Sequence, residues 1–136
     1  SCEISFRSYL REKNRGYTVL EPLKTHESVE GGYTAAKRLL SQHKDLSMIY
    51  APCGGIEGVL NALRESGRKE IKLLCHGPIV EGELALIESH IEVMFRHRLD
   101  AIAATVIDVF ARKMRDRDVN PVHITLPFDV VTRENI

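Results

Sequence analysis

Two hydrophobic periodicities alternate along the chain. Short apolar runs rich in β-forming residues predict strands, and longer runs with apolar residues three and four positions apart predict amphipathic helices. The predicted helices cover residues 3–13, 28–43, 56–66, 81–89 and 99–115, and the predicted strands cover 17–23, 46–51, 71–75 and 91–95. The carboxyl-terminal residues alternate in two further extended pieces on either side of Pro127.

This order of elements predicts an α/β fold with an open, mostly parallel sheet, helices on both faces and flavodoxin-like topology. The run 46–51 is almost continuously apolar, which is typical of a parallel strand buried on both faces. In helix 81–89 we expect Leu84 and Ile87 to point inward. Residues 1–121 are expected to form one lobe. Residues 122–136 are expected to be an extended return segment of the same domain, or strands that pair with something outside the lobe.

Composition narrows the functional classes. The 136 residues are 43% hydrophobic and 28% charged, which fits one folded domain or one lobe of a larger one. Lysine plus arginine and aspartate plus glutamate number 19 each, so the chain as a whole lacks the basic charge of a nucleic-acid-binding domain. The apolar runs are too short to span a membrane. Three widely spaced cysteines and a first segment without a signal-peptide pattern predict a cytoplasmic protein.

The candidate site follows from the predicted sheet. Ligands of open parallel sheets bind outside the carboxyl ends of the strands. The turns after the four predicted strands therefore supply the candidate ligand-binding residues, which are His26, Glu27, Cys53, Gly54, His76, Gly77, Arg96 and His97. Gly54 and Gly55 precede a helix and could offer free amides to an anion, or could simply form a tight turn. Arg96 and its neighbours could meet a carboxylate or phosphate, or form a solvated loop.

Two catalytic or metal-binding alternatives use the same strand ends. Cys53, Cys75, His76 and His97 are residue types that ligate zinc, but their spacing matches no common zinc motif. Cys53 and His76 could form a nucleophile and base, but no orienting acid is evident. We therefore expect no metal, no cofactor and no enzymatic activity.

The sequence also resembles a known family. Glu30-Gly31-Gly32-Tyr33 followed by Leu39-Leu40, the segment 46–63, and the closing PFDVVTREN are similar to successive motifs of lac-repressor-type (LacI/GalR) transcription regulators. The related periplasmic sugar-binding proteins share these features. The resemblance covers nearly all of this chain but only the carboxyl-terminal half of the family's effector-binding domain. The family's aspartate after the second strand falls at Cys53, and its acid after the third falls at Gly77.

The resemblance implies a function. A sugar-like effector would close two lobes, and the altered geometry of a homodimer would change DNA affinity through a headpiece outside this chain. We expect no membrane partner. A periplasmic sugar receptor of an ABC transporter and a small flavodoxin-like enzyme remain as alternatives.

Overall fold

A computed structural model of the chain describes residues 2–13, 16–115 and 123–136. The expected boundary between residues 121 and 122 lies outside the described residues. The elements, in chain order, are α1 (Cys2–Lys13), α2 (Val29–Gln42), β1 (Met48–Ala51), α3 (Ile56–Ser66), β2 (Lys72–Gly77), α4 (Gly82–Ile87), β3 (Ile91–His97), α5 (Leu99–Arg115) and β4 (Phe128–Val131).

The sheet has the order β1-β2-β3-β4. β1 pairs with β2 and β2 with β3 in parallel, and β4 pairs with β3 antiparallel, with Val130 opposite Phe95. This confirms the predicted α/β class with an open, mostly parallel sheet. Of the predicted extended tail, residues 128–131 form the antiparallel edge strand, whereas residues 123–127 are in no strand.

The core lies on one face of this sheet. In β2, Leu73, Cys75 and Gly77 are buried, while the alternating Leu74 and His76 are half-buried on the opposite face. Helices α2, α3 and α4 contribute the residues that cover the buried face. One cluster joins them to the strands and contains Ala36, Leu40, Ile49, Ile56, Val59, Leu60, Ala62, Leu63, Ile71, Leu73, Cys75, Ala85, Leu86, Ile91, Met94 and Val131.

Glycines allow α2 and α3 to approach closely. A Cβ placed on Gly58 would lie 1.9 Å from the carbonyl oxygen of Val29, and one placed on Gly32 would lie 1.9 Å from that of Gly55. These contacts are with backbone, so no side chain could move to make room. The close approach therefore holds the turn at Gly55, which precedes α3, against the start of α2.

The predicted strand at 17–23 is wrong. None of these residues belongs to the sheet, and Tyr17 is 68% exposed. Pro22 lacks the amide that a strand ladder needs. The carboxylate of the neighbouring Glu21 lies 3.0 Å from the guanidinium of Arg7, so this segment contacts α1.

The inward-facing residues of α4 also differ from expectation. Leu84 and Ile87 are 47% and 58% exposed, and Ala85 and Leu86 are buried instead. The helix begins only at Gly82, after Glu81 in the left-handed conformation (φ 57°), and this start sets which residues face the core.

The second face of the sheet carries a row of rings. Phe6 of α1 stacks on Tyr50 of β1 with ring centroids 4.3 Å apart, and the row continues through His76, Phe95 and Phe128. Helices α1 and α5 contribute no buried side chain. In the described part of the chain, no helix is long and apolar enough to cross a membrane.

Candidate functional site

The loop before α2 and the turn after β1 lie together. The Thr25 hydroxyl donates a hydrogen bond to the Gly54 carbonyl at 3.0 Å. A Cβ at Gly54 would lie 2.8 Å from the Cβ of Glu27, so glycine permits this approach. His26 and Glu27 both adopt left-handed backbone angles (φ 50° and 53°) and are exposed. The loop therefore forms one border of the strand-end edge although residues 17–23 form no strand.

An open depression of about 290 Å³ lies at the carboxyl ends of β1, β2 and β3. We call it the strand-end depression. Five of the predicted ligand-binding residues line it, namely Cys53, Gly54, His76, Gly77 and His97. Glu57, in the first turn of α3, adds a carboxylate, while Ile56 and Ile79 add apolar surface. The depression thus combines hydrogen-bonding groups with apolar contacts, a combination suited to a small polar molecule.

Two histidines and a tyrosine are joined across three strands. The Tyr50 hydroxyl lies 2.9 Å from Nε2 of His76, and Nδ1 of His76 lies 3.4 Å from Nε2 of His97. We call this the Tyr50–His76–His97 chain. Tyr50, His76 and His97 stand on the second face of the sheet, so the chain runs along the end of the ring row into the depression.

Partial burial shifts the pKa values of two groups in the Tyr50–His76–His97 chain. Desolvation lowers the pKa of His76, and repulsion from His97 lowers it further. Desolvation raises the pKa of Tyr50, with smaller contributions from Cys2 and Cys53. Because the pKa of His76 is lower in the folded chain than in an unfolded one, its contribution to stability is present above about pH 6.5 and declines as the pH falls towards the folded value.

Arg96 lies apart from the depression. Its guanidinium lies 3.6 Å from the Glu83 carboxylate and 3.5 Å from that of Asp129, its partner in the β3–β4 register. Adjacent strand residues point to opposite faces, so Arg96 and His97 diverge. Arg96 borders a second depression of about 250 Å³ between α4 and β3.

The geometry can be compared with the two alternative chemistries, a zinc site and a nucleophile–base pair of Cys53 and His76. In the part of the chain that the structure describes, no group of three or more histidine, cysteine, aspartate or glutamate residues could hold a metal ion. Cys75 faces the core, where burial raises the pKa of its thiol to about 12 and Glu57 adds to the shift. The described hydrogen bonds of His76 go to Tyr50 and His97 and not to Cys53.

Three polar neighbours of this site, Tyr50, Glu57 and Thr25, were not among the sequence-predicted residues. Tyr50 was missed because the apolar run 46–51 predicted burial on both faces, whereas only Ile49 enters the core. Glu57 could have been predicted from the sequence, because it is the second residue of the helix that follows the turn after β1. Thr25 precedes two predicted residues, but its bond to Gly54 joins segments that are far apart in the sequence.

Comparison with known proteins shows the fold. No protein-family model and no curated protein matches this chain. A glucose-galactose binding protein from Geobacillus stearothermophilus superposes with a TM-score of 0.74 at 14% identity, over 83% of this chain and 41% of that one. A periplasmic solute-binding protein of an ABC transporter from Actinobacillus succinogenes, solved with bound D-allose, gives 0.70 at 14% identity, over 82% and 39%.

A chain of the XylFII–LytSN complex gives a TM-score of 0.83 at 8% identity, over 96% of this chain and 46% of that one. This chain therefore spans less than half the length of each of these solved proteins. It has the periplasmic-binding-protein-like fold.

Proposed function

We propose that this chain is an effector-binding lobe that takes a sugar-like small molecule at the strand-end depression without transforming it. The observation that carries the proposal is the placement of Cys53, Gly54, His76, Gly77 and His97 around one depression at the carboxyl ends of three parallel strands. The fold neighbours include sugar-binding proteins, which supports the same class of ligand.

The chemistry of the lining fits a sugar hydroxyl better than a strong anion. The Glu57 carboxylate accepts hydrogen bonds. Both ring nitrogens of His76 are already bonded to Tyr50 and His97, so the histidine pair presents Nδ1 of His97 to a ligand. The candidate residue with a permanent positive charge, Arg96, is paired with Glu83 and Asp129 away from this depression. A neutral polyhydroxylated molecule therefore matches the available donors and acceptors.

We assign the lobe to a cytoplasmic, homodimeric transcription regulator of the LacI/GalR type, on the motif order that ends in Arg133-Glu134-Asn135. In this mechanism the ligand binds a closed arrangement of two lobes more tightly than an open one, and closure changes the dimer and its affinity for DNA. The DNA-binding headpiece would be a separate segment of the same polypeptide.

A periplasmic receptor of an ABC transporter is the second candidate. It is favoured by the solved neighbours, which include a periplasmic solute-binding protein of that transport class. The coding sequence on the amino-terminal side of Ser1 distinguishes the two. A helix-turn-helix segment supports the regulator, and a secretory signal peptide supports the receptor.

The Cys53→Asp variant tests the site. A carboxylate at this position would accept charge-assisted hydrogen bonds from two sugar hydroxyls, whereas a thiol accepts only weakly. We expect the variant to bind D-glucose, D-galactose or D-allose about tenfold more tightly than the unaltered chain, which corresponds to about 1.4 kcal/mol. NMR titration of the backbone amides measures both the affinity and the place of binding.

Ser41→Asp is the control, because Ser41 is exposed near the end of α2 and lies outside the depression. It should leave sugar affinity unchanged. The proposed function is contradicted if none of the three sugars shifts the amides around Gly54 and Gly77 in the unaltered chain or in Cys53→Asp.

A further inference from the structure

We propose that His76 and His97, ordered by Tyr50, form a proton-coupled pair that keeps its hydrogen bond with one added proton and opens with the second. The further consequence, that this pair sets the pH dependence of ligand binding at the strand-end depression, rests on the proposed function. Tyr50 is a positioning residue in this proposal, since it acts on His97 only through His76.

The positions of the protons along the Tyr50–His76–His97 chain explain why the first added proton leaves the pair intact and the second does not. When both rings are neutral, the Tyr50 hydroxyl can donate to Nε2 of His76, and the Nδ1 hydrogen of His76 can then be donated to Nε2 of His97. The reverse direction, from His97 through His76 to the tyrosine oxygen, satisfies the same two bonds. In both arrangements, one of the two facing nitrogens, Nδ1 of His76 and Nε2 of His97, carries a hydrogen and the other does not, so a hydrogen bond joins the rings.

One additional proton is accommodated without loss of a bond. If His97 carries it, His97 donates to His76 and His76 donates to the oxygen of Tyr50. If His76 carries it, His76 donates to both neighbours. A second additional proton places a hydrogen on both nitrogens that face each other, 3.4 Å apart. The bond is then replaced by repulsion between two like charges, so the pair separates.

The titratable and charged groups near the pair come from the elements on each side of it. Across the depression, α3 presents the Glu57 carboxylate and the turn after β1 presents the Cys53 thiol. On α1, Cys2 lies near Tyr50. On β4, the residue opposite His97 in the register is Phe128, which carries no charge. Arg96 and Asp129 pair with each other on the other face of the sheet. Arg98 follows β3 and adds positive charge beside His97.

Separation of the pair would change the lining of the strand-end depression. His97 is exposed at the end of β3, whereas His76 is half-buried and stacked against Phe95 with centroids 5.3 Å apart. His97 is therefore the ring free to move. Its departure removes one lining group from the depression, so we expect a neutral sugar to bind more weakly in acid.

NMR titration of the histidine rings tests the pair without any ligand. In the 136-residue chain, we expect the ring of His76 to titrate in two steps, as a group coupled to a second titrating site does. His97→Gln should leave His76 with a single step. Tyr50→Phe should keep two steps but lower the first, because the protonated pair loses its terminal acceptor.

A single-step titration of His76 that is unaffected by His97→Gln would overturn the inference. The sugar experiment is separate. D-glucose, D-galactose or D-allose should bind the unaltered chain about tenfold more weakly at about pH 5 than at about pH 7.5, and His97→Gln should lose this difference. Absence of sugar binding at both pH values contradicts the proposed function, and the ring titration still decides the pair.

Discussion

Gly58→Ala should destabilise the fold by about 3 kcal/mol, in spite of the roughly 1 kcal/mol by which alanine favours a helix over glycine. The added Cβ would lie 1.9 Å from the Val29 carbonyl oxygen and 2.5 Å from the Tyr33 amide nitrogen. Both are backbone atoms of α2, so the two helices must move apart. Urea denaturation followed by circular dichroism measures the free energy of unfolding.

Asn61→Ala is the control for this substitution. Asn61 is exposed in the same helix, so the change improves helix propensity without adding a contact to α2. We expect it to raise the free energy of unfolding by a few tenths of a kcal/mol. If Gly58→Ala were as stable as Asn61→Ala, the close approach of α2 and α3 would be wrong, and so would the position of the Gly55 turn at the strand-end depression.

Leu73→Ala should cost about 3 kcal/mol of unfolding free energy. Leu73 is fully buried at the centre of the core, in a strand paired on both sides. Truncation removes its apolar surface from the core and leaves a cavity between the sheet and the helices that cover it. The measurement is again the midpoint and slope of urea denaturation, and an unchanged slope would show that the loss is one of stability.

The neighbouring Leu74 provides a matched control, because it is the same residue type in the same strand but points to the second face. It is half-buried there, so Leu74→Ala should cost about 1 kcal/mol. Equal losses from the two substitutions would contradict the one-sided core, and a larger loss from Leu74→Ala would place the core on the other face.

The parts of the fold that sequence could predict are those where local pattern and tertiary burial agree. Helix α3 was predicted from its apolar spacing, and the structure buries the residues of that spacing, from Ile56 to Leu63. Segment 17–23 has strand-forming residues, but the ion pair between Glu21 and Arg7 comes from a contact with α1 that no local pattern contains. In α4 the late start at Gly82 shifts the buried positions to Ala85 and Leu86.

For the site, the position of the strand ends was predictable and the direction of each side chain was not. The rule for parallel sheets selected five residues that line the depression, and also His26, Glu27 and Arg96, which do not line it. Arg96 and His97 diverge because β3 extends to His97 and adjacent strand residues point to opposite faces, whereas the predicted strand ended at residue 95. Tyr50 reaches the site because β1 buries only one face, and the almost continuously apolar sequence of this strand does not show which face that is.

Because the core lies on one face of the sheet, some parts of the molecule can unfold locally while the rest stays folded. Helices α1 and α5 place no side chain in the core, so melting either of them exposes little apolar surface. Such local openings require less free energy than global unfolding. In native-state hydrogen exchange, the amides of these two helices should therefore lose protection first, while those of β2, β3 and α3 exchange only when the whole domain unfolds. The chain behaves as a cooperative central unit with two helices whose order depends on what they dock against.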